Sequence, residues 1–571
     1  MRRALLLVAL LLVAGYGALA AQGTIRPRFG VPVPMRDGVT LVADVWTPDT
    51  AGRHPTILIR TPYVRTAQFR RYGLKAYLER GYAVVLQDVR GRGDSDGRFR
   101  FYFPEADDGY DTIEWIAQQP WSNGKVGMDG GSYLATVQWL AAREQPAALA
   151  CIIPTAPSGR LFDELPYQGG AFRLEWALSW LNGVSGRSDQ NETWQLGNPG
   201  RLATHRPLLT MDEAFGRSMP LYREFLNHST LDSYWRPLHF TAQDFARISI
   251  PVLHVTGWYD GDQLGALYYW DGMEAHGPVR DNRHLIIGPW THGQTYLGGA
   301  ERVGAFTFPE TSTLPIQQVR LDFFDSCLKG TERYVAPRVR LFLTGSNRWL
   351  EADRYPLPGV AATPLYLHSG GRANTAAGDG RLSWNAPGAQ SPDQYRYDPR
   401  NPVPSRGITT DHRSGQNRQD VLVYTSEVLK DPVDVVGRVF VKLYAASDAL
   451  DTDFTAKLLD VYPDGRSIKL GPTDVGVQRA RYRNGYDREE PLEPGRTELY
   501  TIELFDVGHT FLPGHRIQVE VSSSAFPYID ANTNTGNPVA TDTTMRVAVQ
   551  TIHHDAARPS HILLPILPRP R

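Results

Sequence analysis

KVGMDGGSYLATVQWLAA, residues 125–142, decides how this chain is to be read. A short apolar run ends in Asp129 and two glycines, Ser132 follows, and apolar residues then recur at helical spacing. The pattern predicts a strand, a tight turn and a helix. A buried structural serine needs neither paired glycines before it nor small residues after it. A nucleophilic serine needs both, because its hydroxyl must be held exposed, beside a base and beside donors for a developing oxyanion. A sharp strand-to-helix turn exposes the hydroxyl and aims the N–H groups of the helix N-terminus at the reacting oxygen. Gly130, Gly131 and Ala135 are the small residues such a turn demands, and Ser132 is the candidate nucleophile. Taken alone, the same residues would also suit a serine that only N-caps a helix. Partners elsewhere in the chain must decide.

Two later segments supply them. PVLHVTGWYDGD, residues 251–262, is an apolar strand pattern ending at Asp260, and HLIIGPWTHGQ, residues 284–294, is another that reaches His292 after a Gly-Pro turn. Nucleophile, acid and histidine in this order, each at the end of a strand, is the α/β-hydrolase arrangement. In it His292 takes the Ser132 proton and returns it to the leaving group, while Asp260 fixes the imidazole tautomer and stabilises the imidazolium. As second oxyanion donor, Tyr63 at the end of ILIRTPY is the candidate, beside the backbone N–H of Tyr133.

Three textures surround these segments. Up to residue 157, runs such as PTILIRTPY and GYAVVLQDVRGRG alternate with helix-like stretches such as DDGYDTIEWIAQQP, as in a parallel sheet with crossover helices. In residues 158–247 strand patterns fade and aromatic and leucine residues take helical spacing, as in FRLEWALSWL. Buried-strand patterns return in 248–350, so 22–157 and 248–350 read as two parts of one α/β core around a helical cap. From 351 to 571, alternating runs such as VGRVFVKLYAAS and LYTIELFDVG between Gly, Pro, Asp and Asn turns predict an all-β jelly-roll domain.

Composition narrows the partners. Sixty Lys and Arg against 61 Asp and Glu, with no long run of either sign, leave no electrostatic footprint for nucleic acid. The opening MRRALLLVALLLVAGYGALAAQG, with two arginines, a short apolar stretch and an A-x-A ending, reads as a signal peptide over residues 1–21, hence a secreted or periplasmic protein with no membrane contact after cleavage. Two cysteines, Cys151 and Cys327, make neither a disulfide framework nor a Cys-based zinc site. Their apolar contexts lead to the expectation of two separate core thiols, a single disulfide being the alternative. No HExxH spacing occurs and the adjacent His553 and His554 would point to opposite faces of a strand, so neither metal nor cofactor is expected. A homo-oligomer stays open.

Five segments together resemble the cocaine esterase-like (CocE/NonD) hydrolases, relatives of the X-Pro dipeptidyl-peptidases and the α-amino acid ester hydrolases. GGSYLA is similar to that family's nucleophile elbow, RTPY to its oxyanion segment, DVRGRGDSDG to its D-x-R-G-x-G-x-S segment, GWYDG to its acid segment and GPWTHG to its histidine segment. Echoes in PLYLHSGGR, DVLVYTSEVL, DTDFTAKLLDVYPDGR and RARYR extend the resemblance into the β domain. It implies Ser132, Asp260 and His292 as the triad, the Tyr63 hydroxyl and Tyr133 amide as the oxyanion hole, and a three-part architecture. One departure is Ala135, where the family usually has glycine.

The resemblance implies cleavage of small-molecule esters, or activated amides, of small acyl groups through an acyl-enzyme. X-Pro dipeptidyl-peptidase and α-amino acid ester hydrolase activities are the alternatives. Both would need carboxylates to hold a substrate ammonium, and the candidates are Asp262, Asp163 and Glu164. The reading favoured for these three is solvated surface carboxylates. Tyr167, Phe172, Trp176 and Trp180 are the candidate aromatic lining of the acyl pocket, set against the plainer reading of an apolar helix face.

Overall fold

The computed structural model describes residues 25–71, 73–190, 202–331 and 333–569. The expected signal peptide lies outside the described residues. The chain folds into two compact units. One holds the chain through Gly130 with Val137–Ile152 and Gln318–Tyr334; the other holds Gly131–Thr136, Ile153–Gln317 and Val335 onward.

In the first unit the strands β1 (Ile25–Pro34), β2 (Thr40–Pro48), β3 (His54–Thr61), β4 (Ala83–Asp88), β5 (Ser122–Gly131) and β6 (Leu149–Thr155) lie in the order β1-β2-β4-β3-β5-β6. β1 and β2 are antiparallel, while β3 runs parallel to both β4 and β5. Every residue of β3 and β4 is buried. Strands covered on both faces need no polar alternation, and each carries a continuous apolar run, Ile57–Ile59 in β3 and Ala83–Leu86 in β4. The helix Glu105–Ala117 precedes β5 and opens with Glu105, Asp107 and Asp108, which complement the positive end of its dipole.

A disulfide joins Cys151 on β6 to Cys327, 176 residues away, in the helical segment Asp325–Lys329. This corrects the expectation of two separate thiols. An apolar context suits a buried cystine as well as a buried thiol, so the sequence around each cysteine does not distinguish them.

In the second unit the strand Val252–Tyr259 runs parallel to Arg283–Thr291, which runs parallel to Val339–Leu343; Arg348–Ala352 closes this group as an antiparallel edge. Between residues 158 and 247 the described elements are the helices Leu174–Gly183, Met211–Phe215, Pro220–Asn227 and Ala242–Arg247, short 3₁₀ turns, and a hairpin pairing Tyr167–Gln168 with Ala171–Phe172. From Ala361 to Leu567 the chain builds a twelve-stranded sheet system that is almost wholly antiparallel. Its longest strands, Val433–Ser447 and Glu498–Phe511, pair along their lengths. Among the described residues no helix is long and apolar enough to cross a membrane.

Candidate active site

Ser132 occupies the left-handed region, φ 62°, between Gly131 and the helix Tyr133–Arg143. An L-residue there costs about 1–3 kcal/mol and persists only where its surroundings enforce it. They do. Its N–H donates to Thr155 O (3.0 Å), while its carbonyl accepts from Ala135 N (2.8 Å) and Thr136 N (3.1 Å), starting the helix. The Thr136 hydroxyl donates to Ser158 O (2.8 Å). Ser132 is half-buried, whereas Gly131 and Tyr133 on either side are buried. The elbow thus puts a serine at the surface from within an otherwise closed segment.

Asp260 follows a strand that is buried throughout, and is itself fully buried. Its Oδ1 accepts from His292 Nδ1 (2.7 Å) and Asp262 N (3.0 Å); its Oδ2 accepts from Thr256 Oγ1 (3.0 Å). Three donors satisfy a charge that burial would otherwise penalise. His292 opens the helical turn His292–Tyr296, whose N-cap Thr291 forms a reciprocal capping box with Gln294. Nδ1 is engaged by Asp260, and the side chain keeps 38% of its surface exposed. A carboxylate–imidazole pair of this geometry is what the base-and-orienter half of a triad requires.

One side chain ties this pair to the elbow. The Tyr296 hydroxyl lies 3.4 Å from His292 Nε2. Its ring fills the space beside Gly131, where an added Cβ would meet Tyr296 Cε1 at 1.7 Å. Gly131 is therefore required by a close approach and not only by the turn. Tyr296 escaped the sequence reading, although its position four residues after His292 on one helical face carries the signal.

Tyr133 heads the helix after Ser132, and its ring stacks on Trp180 (6.0 Å, 19°), which stacks in turn on Trp176 (5.3 Å, 10°). The two tryptophans are half-buried and come from the cap helix Leu174–Gly183. The structure thus brings two of the four expected aromatic residues to the residue after Ser132. The other two are corrected. Tyr167 and Phe172 are buried core residues of the cap: the Tyr167 hydroxyl donates to Phe225 O (3.0 Å), and Phe172 packs edge-on against Tyr167 and Tyr222. Their hairpin turns them inward, a direction that helical periodicity does not encode.

Tyr63 belongs to the first unit, in a turn beyond β3. Arg92 Nε donates to Pro62 O (2.6 Å), Tyr63 N to Thr61 Oγ1 (3.0 Å) and Gln68 Nε2 to Tyr63 O (2.8 Å). Asp88 accepts Arg65 N (2.7 Å), and a Cβ on Gly93 would collide with its carboxylate. The residues of DVRGRGDSDG therefore clamp the turn that carries Tyr63.

The acidic residues also differ from expectation. Asp163 and Glu164 are buried, not solvated. Glu164 accepts from Gly159 N (2.7 Å), Arg160 N (3.0 Å) and Gly265 N (3.0 Å), while Asp163 accepts from Gly169 N (2.9 Å) and pairs with Arg160. Both are consumed in fastening the cap segment. Asp262 alone keeps a carboxylate toward the histidine, with Oδ2 3.8 Å from His292 Nδ1 and 15% of its side chain exposed. Burial pushes Asp262 up to about 6; the His292 charge pulls it down and Asp260 pushes it further up. Burial, and then the neighbouring Asp262, push Glu164 up to about 8 against its three N–H donors.

A strand-to-helix elbow bearing a strained serine, followed in the chain by a strand-end Asp–His pair, defines the α/β-hydrolase class. Comparison with known proteins agrees. Residues 37–294 match the X-Pro dipeptidyl-peptidase (S15 family) profile, and residues 335–563 that of the X-Pro dipeptidyl-peptidase C-terminal non-catalytic domain. Cocaine esterase of Rhodococcus sp. (strain MB1 Bresler) is 38% identical over 587 residues, covering 96% of this chain and all of that one. Two solved structures each cover 96% of this chain and are covered to 97%, at 28% identity. They are an aminopeptidase from the marine sediment archaeon Thaumarchaeota archaeon, with a TM-score of 0.85, and an α-amino acid ester hydrolase, with 0.84. The chain belongs to the S15 family, among its cocaine esterase-like (CocE/NonD) members, and is a serine hydrolase of the esterase kind.

Proposed function

We propose that this protein cleaves carboxylic esters, or activated amides, of small acyl groups through an acyl-enzyme on Ser132. The observation that carries the reading is the 2.7 Å bond from His292 Nδ1 to a buried Asp260, with Tyr296 linking the other face of that imidazole to the residue before Ser132. His292 Nε2 takes the Ser132 proton as Oγ attacks the acyl carbon. The electron pair moves to the carbonyl oxygen, which is met by the Tyr133 N–H at the helix N-terminus and, by the family resemblance, by the Tyr63 hydroxyl. His292 returns the proton to the departing oxygen, and water repeats the sequence on the acyl-enzyme. The half-buried Trp176 and Trp180 suit an apolar acyl group. We place the protein in the periplasm or outside the cell; the Cys151–Cys327 disulfide supports this, since such bonds persist in oxidising compartments.

A second reading, hydrolysis of α-amino acid esters or X-Pro peptides, is favoured by one feature: Asp262 is a partly exposed carboxylate beside His292. Because Asp163 and Glu164 are engaged by the cap, Asp262 would hold a substrate ammonium alone. The deciding measurement is kcat/KM for phenylacetic acid methyl ester and phenylglycine methyl ester, which differ by the α-ammonium, in wild type and Ser132→Ala. The neutral ester is expected to be cleaved at least as well, and Ser132→Ala to lower kcat about 10⁴-fold or more. A strong preference for the amino ester that vanishes in Asp262→Asn would favour the second reading. Unchanged turnover in Ser132→Ala would remove the nucleophile assignment.

A further inference from the structure

Tyr296 sits where the reacting proton must travel. Its hydroxyl is 3.4 Å from His292 Nε2, and its ring stands edge-on to the imidazole at 5.9 Å and 78°. On the other side its Cε1, Cζ and Oη lie 1.7, 2.5 and 2.7 Å from the Cβ that Gly131 lacks. The phenol is thus held between the residue preceding Ser132 and the outer nitrogen of the imidazole. Any oxygen that exchanges a proton with Nε2 does so beside Oη. Two oxygens do this in ester cleavage: Ser132 Oγ on attack and the leaving-group oxygen on collapse.

We propose that Tyr296 is a catalytic residue whose hydroxyl donates a hydrogen bond to the leaving-group oxygen. The proposal rests on the reading of Ser132 as nucleophile and goes beyond it. In the collapse of the tetrahedral intermediate, the oxyanion lone pair re-forms the carbonyl and the bond from the acyl carbon to the leaving oxygen breaks. That electron pair stays on the leaving oxygen, which accepts from Nε2 the proton that Nε2 took from Oγ. Tyr296 keeps its own proton throughout and bonds to the oxygen while its charge is greatest. The alcohol departs neutral, the imidazole is neutral again, and the acyl group remains on Oγ. Such a contact contributes where charge develops in the transition state and little in the bound ester. It therefore matters most for alkoxide leaving groups and least for aryloxides that carry their own charge.

The test is kcat/KM, which reports acylation, for methyl and p-nitrophenyl esters of phenylacetic acid with wild type and Tyr296→Phe. Labelling by a fluorophosphonate, whose fluoride leaves without a proton, runs in parallel. The expected result is a loss of about tenfold to a hundredfold on the methyl ester, under about threefold on the p-nitrophenyl ester, and near wild-type labelling. Equal losses on both esters, with slowed labelling, would mean that Tyr296 only positions His292 and would overturn the proposal. Unchanged rates on both esters would overturn it too. Failure of the underlying reading has a different signature: the Ser132→Ala variant would still be labelled, at another residue, and both assignments would fall together.

Discussion

At the scale of single residues, the site is organised by charges that are buried and matched. Asp260 has three donors, whereas Asp262, two residues on, has His292 Nδ1 at 3.8 Å and a pKa pushed up to about 6. A carboxyl whose pKa rises on folding binds its proton longer in the folded than in the unfolded chain. Its ionisation then removes stability as pH climbs from the ordinary 3.8 through about 6. Asp262→Asn removes that dependence. The unfolding midpoint of the variant, measured against wild type, is expected to gain steadily between pH about 4 and about 6 and to level off above it; a difference flat across this range would show that Asp262 ionises freely. The candidate triad was legible because each member ends a short, recognisable segment in the required order. Tyr296 and the bonded state of Glu164 were not. One depends on where a helical turn points its fifth residue, the other on backbone N–H groups supplied by Gly159 and Gly265, 106 residues apart in sequence.

At the scale of elements, the Cys151–Cys327 bond fastens β6 to the segment Asp325–Lys329, which also receives Arg80 and Tyr82 on Asp325 (2.7 and 2.6 Å). Closing a loop of 176 residues constrains the unfolded chain, and the entropic treatment assigns it about 5 kcal/mol, with measured disulfides commonly at about 2–4. Dithiothreitol, or Cys151→Ser with Cys327→Ser, is expected to lower the stability of the first unit by about 2–5 kcal/mol in denaturant unfolding. Identical unfolding with and without reductant would show that the bond contributes nothing. Strands of the first unit were readable as elements because β3 and β4 each carry a short continuous apolar run, Ile57–Ile59 and Ala83–Leu86. The cap was harder. Tyr167 and Phe172 belong to two-residue strands whose direction is set by a hairpin at Gly169 and Gly170, where Cβ atoms would strike Val477 O and the Tyr482 ring. Packing against a segment some 300 residues later leaves no local periodicity to read.

At the scale of the second unit as a whole, the C-terminal β domain does more than follow the hydrolase core in sequence. The strand Glu498–Phe511 alternates buried and exposed residues only at its start, and its last eight residues are all buried. The change marks where it meets the acid-bearing segment. Gln263 bridges Gly257 O (3.4 Å) and Asp506 O (3.0 Å) and accepts from Asp506 N (3.1 Å), while Thr344 donates through both N–H and hydroxyl to Gly508 O (2.9 and 2.8 Å). Gly508 faces the Trp258 indole so closely that a Cβ would meet its Cε2 at 2.4 Å, and Trp258 is itself fixed by Nε1 donating to Phe342 O (2.5 Å). Trp258 stands near the end of the strand Val252–Tyr259, two residues before Asp260. A methyl group at Gly508 must therefore displace an indole that has no room to move, at a cost of about 1–3 kcal/mol for an overpacked core, and the displacement is transmitted to the carboxylate that orients His292. Gly508→Ala is expected to lower both the unfolding midpoint and the rate at which a fluorophosphonate labels Ser132. Gly388→Ala, in the same domain with nothing within 4 Å of the added carbon, is expected to change neither. Wild-type labelling in Gly508→Ala, whatever its stability, would mean that Asp260 is held by its own strand alone; slowed labelling would make the β domain, which carries none of the candidate triad, a determinant of how the triad is aligned.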